Sequence, residues 1–122
     1  MTEALNREQK SVKGSKILIL GVAYKRDSGD VRESPALDVM KLLHEKGGEI
    51  TYHDPHVSQL AFENQLLHSI CLTAQTLSTS DVVVVVTDHT RFDAREIVGF
   101  SRLIIDTRNL THGIQSDKIV RL

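Results

Sequence analysis

Lys16-Ile-Leu-Ile-Leu20 runs directly into Gly21-Val-Ala-Tyr-Lys-Arg-Asp-Ser-Gly-Asp-Val-Arg-Glu-Ser-Pro35. The first segment is a continuous apolar run, the pattern of a buried parallel strand. Ser34 is a good helix N-cap and Pro35 suits the first helical position. A strand, a glycine and then a helix start announce the opening of a nucleotide-binding α/β unit. The residues between do not fit the usual version of it. A dinucleotide fingerprint is G-x-G-x-x-G, whose second glycine lets backbone approach a pyrophosphate. Here Gly21 is followed by Val22-Ala23-Tyr24, so that pattern fails, and no Walker A pattern is present. Charges stand where small residues would be.

Outward from this stretch, Ala36, Val39, Met40 and Leu43 recur at helical spacing and form one apolar face. Lys46-Gly47-Gly48 is a helix stop, and Glu49-Ile-Thr-Tyr-His53 alternates as a second strand closed by Asp54-Pro55. These segments make a βαβ unit. Further on, the pattern predicts a short helix over Gln59–Leu67, a third strand over Ser69–Leu72 and at least one helical turn over Thr73–Ser80. Val82-Val-Val-Val-Val86 is a strand buried on both faces. A helix over Ala94–Phe100, a strand over Leu103–Asp106 and an edge strand over Lys118–Leu122 complete the chain. The expected fold is α/β: a Rossmann-like open parallel sheet of five or six strands, order 3-2-1-4-5 with an optional sixth, with helices on both faces. Residues 1–15 are polar and read as a helix tail and linker, leaving residues 16–122 as one domain.

Composition narrows the functional classes. The chain has 122 residues, 40% of them hydrophobic and 25% charged, with a net charge of −1. No global field draws it to nucleic acid or to a membrane surface. The polar start carries no apolar signal segment, no apolar run is long enough for a bilayer, and a single cysteine suits a reducing compartment, so a cytoplasmic location is expected. The absence of Trp argues against a base-stacking nucleic-acid platform.

In an open parallel sheet, ligands bind beyond the carboxyl ends of the strands, where the strand order reverses. Those ends deliver Gly21–Lys25, Asp54, Thr87-Asp88-His89 and Asp106-Thr107-Arg108-Asn109. Two cations, Lys25 and Arg108, and several hydrogen-bonding groups thus converge on one rim, which suits a phosphorylated or carboxylated ligand. Lys25 would supply a compact charge and Tyr24 would lie against a ring. The connection from Val22 to Ser34 is also long beside the roughly two to six residues of ordinary βα loops. The blander alternatives are a self-paired surface loop formed by Lys25, Arg26, Asp30, Arg32 and Glu33, and an Arg108 that merely pairs with Asp106. His53-Asp-Pro-His56 lacks the second ligand cluster a metal needs and reads as a strand end with a turn. Cys71 reads as a buried cysteine in an apolar strand, and Asp88-His89 as either half of an acid–base pair or pocket lining.

Taken together, KILILGVAYKRDSGDVRESPALDVMKLL, YHDPHV, SDVVVVVTDH and IIDTRN resemble the C-terminal domain of the UDP-glucose/GDP-mannose dehydrogenase family, in order and over nearly the whole chain. The most specific element is G-x-A-Y-K-x-D-x-x-D-x-R-E-S-P. ALN…KSVKGSK is similar to the end of the family's central helical region. The resemblance implies a nucleotide-sugar-binding domain of an enzyme that oxidises a sugar C6 alcohol to a carboxylate in two NAD-dependent steps. It implies three partners: a UDP-sugar, an N-terminal NAD-binding domain and a central dimerisation domain. By the same resemblance Tyr24, Lys25 and Arg108 contact the substrate, and Arg32 reaches across a domain interface toward NAD. Thr107 stands where many members have glycine. The family's catalytic cysteine lies in a glycine-rich central motif that Cys71 does not match, so this segment is expected to bind UDP without catalysing. Two rivals remain: a free-standing nucleotide- or CoA-binding module, and a phospho-receiver domain. The second would need an acidic pair after the first strand, where Ala23-Tyr24-Lys25 stands.

Overall fold

A computed structural model describes residues 12–31 and 34–122. Five strands form a parallel sheet: β1 (Lys16–Leu20), β2 (Glu49–His53), β5 (Val82–Val85), β6 (Ile104–Asp106) and β7 (Ile119–Arg121), in the order β2-β1-β5-β6-β7. Helix α1 (Pro35–Glu45) covers one face, and α2 (Ala74–Thr79) with α3 (Ala94–Phe100) covers the other. The α/β class and its parallel sheet agree with the sequence expectation. Successive strand residues point to opposite faces, so an unbroken apolar run is needed where both faces are covered. Ile17, Ile19, Val82, Val84 and Ile105 pack toward Ala36, Met40 and Leu43 of α1. Leu18, Leu20, Val83, Val85 and Ile104 pack toward Leu77, Ile97 and Val98 of α2 and α3.

The helix ends follow their sequence signals. Ser34 Oγ accepts the Ala36 N–H at 3.1 Å and Pro35 takes the first position of α1. Thr73 and Thr76 form a reciprocal capping box on α2, and Asp93 accepts the Arg95 and Glu96 N–H groups on α3.

One segment differs from expectation. Gln59–Leu67 is not a helix: β3 (Gln59–Phe62) and β4 (Gln65–His68) form an antiparallel hairpin. Its two-residue turn is Glu63-Asn64, with φ of 49° and 62°, the left-handed pair that matches strand twist. Leu60 is buried, Phe62 and Leu67 pack against the α1 core, and the intervening Ala61 is exposed, which is a period of two. Ser69–Leu72 is likewise not a strand. Its one backbone–backbone bond to β2 is Ile70 N–H to the Tyr52 carbonyl at 2.9 Å, and Thr73 then caps the start of α2. The sheet therefore has β2 at its edge: the hairpin stands where a helix was expected, and the expected third strand is irregular.

Two turns at the carboxyl edge are built without latitude. Gly21 has φ of 83° and donates to the His53 carbonyl at 3.0 Å. A Cβ there would lie 2.5 Å from Thr87 Cβ and 2.6 Å from the Thr87 carbonyl oxygen. Asp106, buried at the end of β6, collects the loop that follows. Its Oδ1 accepts the N–H groups of Arg108 and Leu110, and its Oδ2 accepts the N–H and hydroxyl of Thr111. Burial alone would push the Asp106 carboxyl up, but the bonds from Thr111, Arg108 and Leu110 outweigh it and hold the group below its ordinary value of 3.8.

Gly21→Ala adds left-handed strain to a backbone clash and is expected to cost about 2–4 kcal/mol. Urea unfolding measures it, and a loss under about 1 kcal/mol would contradict this packing. Because the Asp106 pKa is depressed in the folded state, its stabilisation is full above pH 3.8 and is lost as pH falls through the folded value. Asp106→Asn, which puts an amide N–H₂ against donors, should cost about 1–3 kcal/mol at neutral pH. The gap from wild type should narrow only in acid, and an equal gap at neutral and strongly acid pH would refute the charged role.

Candidate functional site

The strand order reverses between β1 and β5, so the loops after β1, β2, β5 and β6 share one rim. Asp54, at the end of β2, is the hub. Its Oδ2 accepts the Val22 N–H at 2.8 Å, the Ala23 N–H at 3.2 Å and His89 Nε2–H at 2.9 Å. Its Oδ1 accepts the His56 N–H at 2.8 Å. The side chains of Asp54 and His89 are both fully buried.

The partners fix the His89 tautomer. Nε2 faces a carboxylate and must donate, so Nδ1 is the acceptor for the Asp27 N–H at 2.9 Å. Asp27 adopts φ of 59°, a conformation that aspartate tolerates better than most residues. Its carboxylate accepts the Thr90 N–H and hydroxyl, which hold it below its ordinary range. The loop after β1 is thus stapled to the loop after β5.

Between these anchors lie Tyr24 and Lys25. The Tyr24 N–H donates to the Asp30 carbonyl, while its ring is 49% exposed. Lys25 is exposed and, among the described residues, has no hydrogen-bond or ion-pair partner. Arg26 crosses the crevice instead of pairing within its loop. Its Nη2 bonds Asp88 Oδ2 and its Nε donates to the Asp88 carbonyl at 3.1 Å, and the pairing raises its pKa. Arg108 brings its Nε to 3.7 Å from Asp88 Oδ1, beyond hydrogen-bond range. Its backbone, not its guanidinium, is what Asp106 holds. Arg26 and Arg108 therefore meet at Asp88. A cleft of about 270 Å³ beside them is lined by Arg26, Asp88, Thr90, Phe92, Asn109 and His112, among others, but not by Tyr24, Lys25 or Arg108.

Several sequence expectations change here. Asp88 and His89 do not pair with each other: Asp88 faces the arginines, His89 faces Asp54, and both line the cleft, the second of the two readings. Cys71 is exposed and in no strand, so its reading as a buried cysteine was wrong. Asp27, His56 and His89 do bring ligand atoms within 4.8 Å of one another. The single lone pair of His89 Nδ1 is already engaged by the Asp27 N–H, so that trio does not make a metal centre. Arg32 lies outside the described residues. Sequence reasoning missed Arg26 and Asp27 as cross-crevice staples. The only local signal was Asp27 itself, a residue type suited to a left-handed turn.

The first βα turn also fails as a dinucleotide cradle in three dimensions. The space above Gly21 is filled by Thr87, and the Val22 and Ala23 N–H groups are spent on Asp54. NAD does not fit this turn.

Comparison with known proteins agrees with this fold and gives the family. Residues 18–113 match the model of the "UDP-glucose/GDP-mannose dehydrogenase family, UDP binding domain". The chain is 38% identical over 95 residues to a UDP-N-acetyl-D-mannosamine dehydrogenase of Campylobacter jejuni, covering 75% of this chain and 23% of that protein. It is 31% identical over 116 residues to a UDP-glucose 6-dehydrogenase of Rickettsia bellii, covering 88% of this chain and 27% of that one. Among solved structures, the NDP-N-acetyl-D-galactosaminuronic acid dehydrogenase of Methanosarcina mazei superposes with a TM-score of 0.74 at 26% identity, over 98% of this chain and 26% of the other. The UDP-D-ManNAc dehydrogenase of Pyrococcus horikoshii shares the fold, with a TM-score of 0.77 at 24% identity, over 98% and 28%. The chain thus spans about a quarter of the length of these relatives. It belongs to the UDP-glucose/GDP-mannose dehydrogenase family, of which it carries the UDP binding domain.

Proposed function

We propose that this chain binds the uridine diphosphate part of a nucleotide sugar at the β1–β5–β6 rim. The parent would be an NAD-dependent dehydrogenase that oxidises the sugar C6 alcohol to a carboxylate. The observation that carries this reading is Lys25, without a partner among the described residues, standing on an anchored loop at the switch point of a domain that matches the family's UDP binding domain. A diphosphate between Lys25 and Arg108 gains charge-assisted hydrogen bonds, each worth on the order of 1.5–3 kcal/mol where water is partly excluded. Tyr24 supplies an exposed ring on the same loop. The substrate is a UDP-hexose or UDP-N-acetylhexosamine, as the relatives' names support. Arg32 serves a cofactor contact made with a neighbouring domain. NAD itself is held by that neighbour, since Asp54 already takes the Val22 and Ala23 N–H groups that would cradle its pyrophosphate in the turn after β1.

Three outcomes are expected. In calorimetric titration, Lys25→Ala or Arg108→Ala weakens UDP binding about tenfold or more, while uridine is far less affected. Arg108→Lys rescues only in part, because a point charge does not reproduce the planar fork. Equal UDP affinity in wild type and all variants would refute the site. The chain alone, given NAD and a UDP-sugar, produces no NADH above a boiled control, and turnover would overturn the division of labour between domains.

A further inference from the structure

We infer that the buried Asp54–His89 pair, with Asp27, is a positioning device for Lys25. The inference rests on the reading that Lys25 meets the diphosphate. The segment from Val22 to Asp27 is tied at both ends to one pair of side chains. At its start, the Val22 and Ala23 N–H groups reach Asp54 Oδ2. At its end, the Asp27 N–H reaches His89 Nδ1, and His89 Nε2–H returns to the same Asp54 oxygen. The circuit is closed: carboxylate, imidazole and backbone span Tyr24, Lys25 and Arg26 like a clasp. Asp27 then fastens its own carboxylate to Thr90 through two bonds.

Tyr24, Lys25 and Arg26 are exposed, whereas the Asp54 and His89 side chains that span them are buried. A loop needed only for connection would not require both of its ends fixed to one buried pair of side chains. Lysine loses much conformational freedom when it must meet a ligand. A clasp that fixes its Cα beforehand removes the backbone share of that cost from the binding step. Asp54, His89 and Asp27 touch no ligand in this scheme and act through Lys25.

A double-mutant cycle separates this role from general scaffolding. His89→Ala removes both links of the imidazole. Asp27→Gly preserves the left-handed backbone and the N–H while removing both bonds to Thr90. Each is combined with Lys25→Ala in the full 122-residue chain and titrated with UDP, with urea unfolding recorded in parallel. Each single variant is expected to weaken UDP binding about fivefold or more, yet to change it less than about twofold once Lys25 is alanine. If His89→Ala does not fold, Asp27→Gly, at an exposed position, carries the test alone. The same loss with and without Lys25 would show general loosening and overturn the inference. Wild-type UDP affinity in the clasp variants, with Lys25→Ala weakened, would also overturn it. A Lys25→Ala variant that binds UDP like wild type would instead defeat the site reading, and the inference with it.

Discussion

The rim depends on one buried carboxylate. Asp54 accepts four donors, two of them the backbone N–H groups of Val22 and Ala23 that follow the first strand. In a dinucleotide-binding turn, N–H groups at that place point at the ligand's phosphate. Here a side chain of the protein satisfies them first. Buried N–H groups need partners, and Asp54 takes the two that would face a pyrophosphate in such a turn. A phosphate at this rim therefore calls on other donors, side-chain cations among them, which accounts for charges where the sequence pattern leads one to expect glycines.

The same economy explains the long connection before α1. With its early N–H groups taken up, the chain has to leave the strand, present Tyr24 and Lys25, and return to Ser34. Ser34 both caps α1 and donates to the Ala23 carbonyl at 3.3 Å, so helix start and rim are fixed by one hydroxyl. Thr87 does a similar double service, filling the space above Gly21 while its hydroxyl donates to Ala23 at 2.7 Å.

The elements legible in the sequence are those that local chemistry dictates. The valine run, the Ser34-Pro35 helix start and the Gly47-Gly48 stop each follow from residue type, and each lies where expected. The hairpin escapes a sequence reading because its apolar residues Leu60, Phe62, Leu66 and Leu67 also fall at helical spacing, although only Leu60, Phe62 and Leu67 pack on the core. The Glu63-Asn64 turn that decides between helix and hairpin is a weak signal without glycine. The rim residues were legible by position, since topology places strand ends together. Their pairings were not. Arg26 reaches Asp88 across 62 residues of sequence, and His89 reaches Asp54 across 35. Such contacts depend on how the strands stack, which no local pattern encodes.

The arginines around Asp88 set the charge that a ligand meets. Arg26 commits two donors to Asp88, whereas Arg108 stands at ion-pair distance without a hydrogen bond. Asp88 therefore anchors Arg26 and only biases Arg108, leaving the Arg108 fork available to a better acceptor. A phosphate oxygen in hydrogen-bond contact is such an acceptor, because a bidentate charge-assisted pair outweighs a loose one at 3.7 Å. The carboxylates of Asp54, Asp27 and Asp106 on the same rim are each occupied by hydrogen-bond donors of the protein, so Asp88 is the acid that Arg26 and Arg108 share. On the reading that Lys25 and Arg108 meet the ligand, that sharing leaves two cations for a diphosphate, and it follows from how Asp88 is shared and not from the number of cations alone.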